Sequence, residues 1–431
     1  MENTIKKRVF VNARLLDPSS DLDSPGGILC EHGKIVDLGS HITAETAPEG
    51  IEIIDCDGLC LAPGLVDMRV YLGEPGGEHK ESIRTASEAA AAGGITTMVA
   101  MPDTTPVLDD ISGVEYIARR ARETRMTKIH CHGALTRGLE GKEITEIGLL
   151  SDYGAVAFTD GLKAVKNAQT LRRALSYATA FNKVIIQHPS EPSLSGGVMN
   201  GGEIATRMGL SGIPALAEVM MIERDLRLVE MTGARYHIAN VSTAESVRVI
   251  REAKARGLTV TCDTAPHYFT LNEQSVIDYR TFAKVFPPLR SEEDRLAVYE
   301  GVVDGTIDII TSDHCPQDQD SKRLPFAQAE FGIVGLETLL PLSLQFFQKG
   351  DLSLLEVLRR ITVAPSRLLG LETGTLGAGA AADFVLFNPD RPHFIDPLKF
   401  RSKSKNSPFT GYPVQGQVNR SVVDARDIFV L

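Results

Sequence analysis

Histidines and carboxylates held near one another are the groups from which proton transfer and metal binding are built. This chain sets several of them at the ends of short apolar runs. His130 and His132 form a His-x-His on one such run. In a strand that spacing puts both rings on one face, which makes them a candidate metal pair. A working zinc site needs at least three convergent ligands and an open position, so this pair alone is one short. Asp313 and His314 are neighbours at the end of another run. They read as a proton-transfer group or as a structural pair at a strand end. Arg69 sits in a third run, Leu65 to Leu72. It reads either as an arginine snorkelling to solvent or as a fixed guanidinium paired with Asp160 or Asp313. Cys56 and Cys60 are the closest cysteine pair, but no further ligands lie near them, so they read as semi-buried thiols. Glu203 and Arg207 have the spacing of a solvated pair on a helix.

The elements that must position these groups follow a clear rhythm from Leu61 onward. Short apolar runs alternate with amphipathic stretches, the pattern of parallel βα units. Lys80–Ala92 is alanine-rich and stops at Gly93-Gly94, which predicts a helix. Strands are expected at Leu65–Leu72, Ile95–Ala100, Lys128–His132, Ala155–Phe158, Lys183–His188, Arg235–Asn240, Thr259–Thr261 and Asp308–Thr311. That is the strand count of a (β/α)8 barrel. No Gly-x-Gly-x-x-Gly turn follows a strand, which ranks a doubly wound sheet second. Before the barrel, Arg8–Asn12, Gly26–Cys30 and Ile51–Asp55 read as short strands between turns. After about Gly370 the pattern is β again, at Ala382–Phe387 and within 415–430. The expected organisation is an α/β chain: residues 59–370 form a TIM-type barrel, while 1–58 and 371–431 combine into one small β-sandwich domain.

Composition excludes several functions. A formal net charge of -11 argues against nucleic-acid binding, which needs a basic footprint. No apolar run is long enough to span a bilayer. The start, Met1 to Lys7, has no signal-peptide core, and the six cysteines show no ladder of spacings. A cytoplasmic protein with reduced thiols is expected.

Longer motifs carry a resemblance across nearly the whole chain. They include Met101-Pro-Asp-Thr104, Gly154–Asp160, Gln187–Glu191, His237–Ala244, Pro266-His267, Phe286–Arg290, Asp304–Pro316 and Gly332–Glu337. Together with Asp67-Met-Arg-Val-Tyr71 they resemble the bacterial dihydroorotases of the amidohydrolase superfamily. The resemblance implies zinc ions that activate water and polarise a ring amide, held by histidines and carboxylates at one barrel mouth. It implies that Asp160 matches a metal-binding carboxylate, His188 a histidine ligand and Asp313 the catalytic aspartate of the last strand.

The chain departs from that pattern at both the metal and the substrate positions. Arg69 and Tyr71 replace the two histidines of the first strand, and Asn240 replaces another ligand. Strand alternation predicts that His237 points away from the site and cannot stand in for it. Gly73 replaces the arginine that holds the substrate carboxylate. Asp103 and Phe286 each replace an asparagine, and Gln317 a histidine. An aspartate where an anionic substrate should sit is repulsive. The expected pocket residues are therefore Arg69, Tyr71, Gly73, Asp103, Asn240 and Phe286, with Asp313, Asp160 and His188 vestigial. No cofactor is expected.

The resemblance implies a catalytically inactive homologue in pyrimidine biosynthesis, serving as a structural subunit for aspartate carbamoyltransferase, in an oligomer. The alternative is an active dihydroorotase or other cyclic amidohydrolase with an altered metal site, in which case zinc is expected.

Overall fold

The computed structural model describes residues 7–431. Residues 1–6, which hold most of the stretch read for a leader, lie outside the described residues. The chain begins with four strands, β1 (Arg8–Asp17), β2 (Leu22–Glu31), β3 (Lys34–Gly39) and β4 (Glu52–Asp55), followed by β5 (Cys60–Pro63). Gly64 then turns the chain into β6 (Leu65–Val70). A side chain at Gly64 would collide with Thr96 of the next strand, so this close passage requires glycine.

Strands β6, β7 (Ile95–Ala100), β8 (Lys128–Ala134), β9 (Ala155–Thr159) and β10 (Ile185–Gln187) run parallel in chain order. A two-residue pair, β11 (Met199–Asn200) and β12 (Gly212–Ile213), stands apart. The series resumes with β13 (Tyr236–Ile238), β14 (Val260–Thr264) and β15 (Ile309–Ile310). A parallel bridge between Val70 and His314 joins the last strand to the first and closes the barrel. The interior is filled by Met68, Val99, Ala157, Val184, Ile186, Ala239 and Ile309, drawn from strands around the ring. This is the packed core of a (β/α)8 barrel rather than a pore.

The helices follow local chemistry. The first was expected from Lys80 but begins at Ile83. Ser82 caps it by accepting the Thr85 N–H while the Thr85 hydroxyl takes up the Ser82 N–H, a reciprocal cap that fixes the start. Strands β10, β13 and β15 are shorter than expected, because their ends curl into the loops that carry polar groups.

The last strands, β16 (Phe384–Phe394), β17 (Pro413–Val423) and β18 (Arg426–Val430), join those of the N-terminal segment in one sheet. Its order is β18-β17-β16-β5-β1-β2-β3, with β4 beside β1. Phe10 and Phe384 meet edge to face at 4.8 Å in its core. Lys128 at the start of β8 donates to Asp383 at 2.7 Å and lies 3.0 Å from Asp424, which ties the barrel to this sheet. No helix among the described residues is long and apolar enough to cross a membrane.

Candidate active site

The polar groups gather where the parallel strands end, the face on which loops of a barrel build sites. Arg69, the next-to-last residue of β6, is 2% exposed. Its Nε donates to Asp313 Oδ1 at 2.9 Å. One terminal nitrogen lies 3.5 Å from the Tyr71 hydroxyl and 3.4 Å from His188 Nδ1. Burial opposes the charge on Arg69, but Tyr71, Asp313 and Asp263 more than offset this and hold the guanidinium protonated.

Asp313 follows β15 in a left-handed conformation, φ 48°, that swings its carboxylate inward. Burial raises its pKa, with Arg69 opposing the rise. Its Oδ2 lies 3.7 Å from His267 Nε2, beyond hydrogen-bond reach. His314 turns the other way: its Nδ1 accepts from the Gly335 N–H at 3.1 Å, and its Nε2 faces Glu81 at 3.5 Å.

Several buried polar atoms around this pair have no partner. They are His188 Nε2, His267 Nε2 and both side-chain atoms of Asn240. Burial pushes the His267 pKa down to about 3, and burial followed by the nearby Arg69 pushes that of His188 far down, so both rings are neutral. Unpaired buried polar groups are costly, and their clustering here marks a place where structure alone does not explain the residues.

The structure corrects the reading of His237. Strand β13 stops at Ile238, and Asn240 has φ 55°, so the alternation of faces does not run on to Asn240. Tyr236 faces a helix and donates to Asp225 at 2.6 Å. His237 points into the barrel, where Nδ1 is 2.7 Å from Thr261 Oγ1 and Nε2 is 3.0 Å from Asp263 Oδ2. Asp263 also accepts the Asn240 N–H at 2.6 Å. This aspartate, the second charged neighbour of the Arg69 centre, stood outside the motifs and was missed; its only sequence signal is an acid within an apolar run.

Of the two partners considered for Arg69, Asp313 is the one in contact. Asp160 follows β9, and its carboxylate accepts from the Thr136 N–H at 2.8 Å and the Thr136 hydroxyl at 2.5 Å. It therefore caps a loop. Burial raises its pKa to about 6. His132 Nε2 lies 2.8 Å from the Met68 carbonyl, and burial pushes its pKa down to about 4. Among the described residues, no group of three or more His, Cys, Asp or Glu could hold a metal ion. The donor set confirms the misfit: a guanidinium fills the position of the first-strand ligands, an amide stands at Asn240, and Asp160 is engaged elsewhere. The residues present do not fit the zinc centre that the resemblance implies.

A cavity of about 350 Å³ lies beside the pair, with Tyr71, Asp103, Cys315, Gln317 and Phe331 in its walls; Arg69 and Asp313 do not line it, and Tyr71 stands between. Gly73 is also in the wall, with φ 69°, and any side chain there would collide with the Glu81 carbonyl. Phe286 stands beneath, its ring 5.0 Å from His188 and 5.5 Å from Phe331. Lys284 fixes the wall loop by donating to the carbonyls of Phe326 at 2.7 Å and Ala329 at 2.5 Å. Its ammonium also sits 4.6 Å from the centre of the Phe331 ring.

The family model described as dihydro-orotase-like matches residues 58–246. The dihydroorotase of Syntrophus aciditrophicus is 45% identical over 98% of this chain and 99% of its own length. That of Pelobacter propionicus is 45% identical over 97% of this chain and 98% of its own. Among solved structures, the L-hydantoinase (dihydropyrimidinase) of Arthrobacter aurescens superposes with a TM-score of 0.86 at 26% identity, covering 99% of this chain and 97% of its own. The dihydropyrimidinase of Brevibacillus agri, at 23% identity and TM-score 0.85, shares the fold.

These relatives correct one expectation. The missing ligands suggested an inactive structural subunit, but the full-length relatives carry the name of an enzyme. The lost histidines are therefore read as an altered centre in an enzyme family, not as the mark of a scaffold. By identity and coverage, this chain belongs to the dihydroorotase family of the amidohydrolase superfamily.

Proposed function

We propose that this chain opens or closes a cyclic amide of the dihydropyrimidine type, as the name of its relatives suggests, in pyrimidine metabolism. The observation that carries the reading is the buried Arg69–Asp313 pair at the barrel mouth, ringed by unpaired polar atoms. In hydrolysis, water adds to the ring carbonyl and gives a proton to Asp313. The carbonyl oxygen becomes an oxyanion, which the fixed charge of Arg69 stabilises. The C–N bond then breaks, and the proton returns to the departing nitrogen. A preorganised cation in a water-poor site is suited to that task. A group that accepts and returns a proton works best when its pKa is moved toward the working pH, the direction in which burial shifts Asp313.

The test is turnover of dihydroorotate, dihydrouracil and hydantoin by purified protein, before and after treatment with a strong chelator. Turnover that survives chelation and is lost in Arg69→Met supports the proposal. Absence of turnover on every ring, or turnover only with added zinc, overturns it. A cytoplasmic location goes with this reading and is supported by six cysteines that are all free. Association with aspartate carbamoyltransferase does not require an inactive barrel, and co-purification from the host tests it.

A further inference from the structure

The sheet built from both chain ends carries an apolar patch that the described residues leave uncovered. Strand β16 ends at Phe394, which is 72% exposed. The chain then bends through a short helical turn, Pro397–Lys399, and Leu398 at its centre is 84% exposed. This turn is built rather than loose. The Asp396 carboxylate accepts the Leu398 N–H at 3.1 Å, and the Pro397 carbonyl accepts the Phe400 N–H at 3.2 Å. Leu398 is thus a fixed apolar knob. Beside it lies a cavity of about 300 Å³ with Ala92, Phe400, Val418 and Phe429 in its walls. Asp396 and Lys399, on either side of Leu398, also line it, which sets knob and cavity on one face. Phe394 and the exposed Val430 stand at its rim. The Tyr412 carbonyl accepts the Ile395 N–H, which brings its exposed ring to the same place. Exposed apolar side chains scattered singly are ordinary, but four gathered around one cavity mark a surface suited to being covered.

We infer that this face pairs two copies of the chain about a twofold axis, with each Leu398 seated in the other copy's cavity. Knob and cavity stand side by side on one face, the condition for a self-complementary contact. A half-turn of one copy brings each knob to the other's hole. The charges around the patch fit a second copy as the occupant. Asp390, Asp396 and Glu337 stand against Arg391, Lys399 and Arg401, equal in number, on a chain whose formal net charge is -11. Two copies therefore meet here without the repulsion that their net charge imposes on other faces, whereas a strongly acidic or basic partner finds no counterpart. Seating Leu398 and covering Phe394 removes apolar surface from water in both copies at once. The pairing does not depend on the reaction proposed above.

The experiment measures the mass of the full chain in solution by light scattering on a sizing column, and its dissociation constant by analytical ultracentrifugation. The wild type should form an assembly with an even number of copies. Leu398→Asp should halve its mass, or raise the dissociation constant at least about 30-fold. Ala92→Phe, at the end of the helix Ile83–Ala92, fills the cavity without touching the knob and should do the same. Met231→Asp changes a side chain 67% exposed on the helix Leu216–Thr232 and, as a control, should leave the assembly intact. Thermal melts confirm that each variant folds. A monomeric wild type overturns the inference, and so does an assembly that survives Leu398→Asp or Ala92→Phe unchanged. A monomer that instead captures aspartate carbamoyltransferase through Leu398 also overturns it, because the occupant would then be a different protein.

Discussion

Two arginines are buried near the same barrel mouth, and their surroundings differ. Arg290, 4% exposed, donates to Asn200 Oδ1 at 2.9 Å, to the Ile213 carbonyl at 2.7 Å and to the Ser242 hydroxyl at 3.3 Å. Ser242 in turn is held by Glu218, which accepts its N–H at 3.0 Å. No fully buried side-chain atom of Arg290, Ser242 or Glu218 is left without a partner. Arg69 has one strong partner, Asp313, and stands among rings and an amide whose polar atoms are unpaired. Arg290 is thus a clasp between loops. Arg69 is held at a place where something else must supply hydrogen bonds. A buried cation by itself says little about function; the completeness of its shell separates the two cases.

The sharpest way to break this contrast is Arg290→Met. It leaves the Ser242–Glu218 group and the Ile213 carbonyl facing an apolar side chain, and about 3–5 kcal/mol of stability should be lost in urea unfolding. A loss under about 1 kcal/mol would mean that Arg290 is no clasp.

Arg69→Met should act on chemistry, lowering turnover about 10²–10³-fold. The lone Asp313 carboxylate also destabilises the fold, and Arg69→Met with Asp313→Leu should recover that stability without recovering turnover. Recovery of turnover in the double variant would show that neither group takes part.

A gentler test uses acid. Asp67, Asp103 and Asp160 each have a folded pKa of about 6 against an ordinary 3.8, all raised first by burial. The native state then binds protons before the unfolded chain does, so stability from these groups is fully present below pH 3.8 and is lost as pH rises through about 6. Asp103→Asn should flatten part of that slope when urea midpoints are compared between about pH 4 and 7. A steeper slope in the variant would reverse the sign of the assignment.

At the small end is Glu203–Arg207, 3.9 Å apart with both side chains mostly exposed. Replacing both by alanine should leave the urea midpoint within error. A clear shift there would show that shell completeness is a poor guide on this protein.

The barrel was legible in the sequence because its strands are short apolar runs in steady alternation with helices, and the first helix announced its end at Gly93. The composite sheet was legible because β segments recur at both ends of the chain. The site was only partly so. The types of Arg69, Asp313 and Asn240 were plain, but which carboxylate Arg69 meets depends on the left-handed turn at Asp313. His237 was misplaced because alternation was carried past the point where β13 ends. Asp263 gave no motif signal at all. Strand periodicity sets which face a residue occupies; the loop conformations that aim the final groups depend on contacts distant in sequence.

Gly73 carries a consequence for how the pocket can be re-engineered. With its backbone pressed against the Glu81 carbonyl and the Gly77 N–H bonded to its own carbonyl at 2.5 Å, the loop has closed over the space a longer residue would occupy. Gly73→Arg alone would not supply a carboxylate clamp, since the loop would have to be rebuilt before the new side chain could enter. A charged side chain can therefore be added to this part of the wall only by a change of two or more residues, which limits how far single substitutions can redirect the pocket.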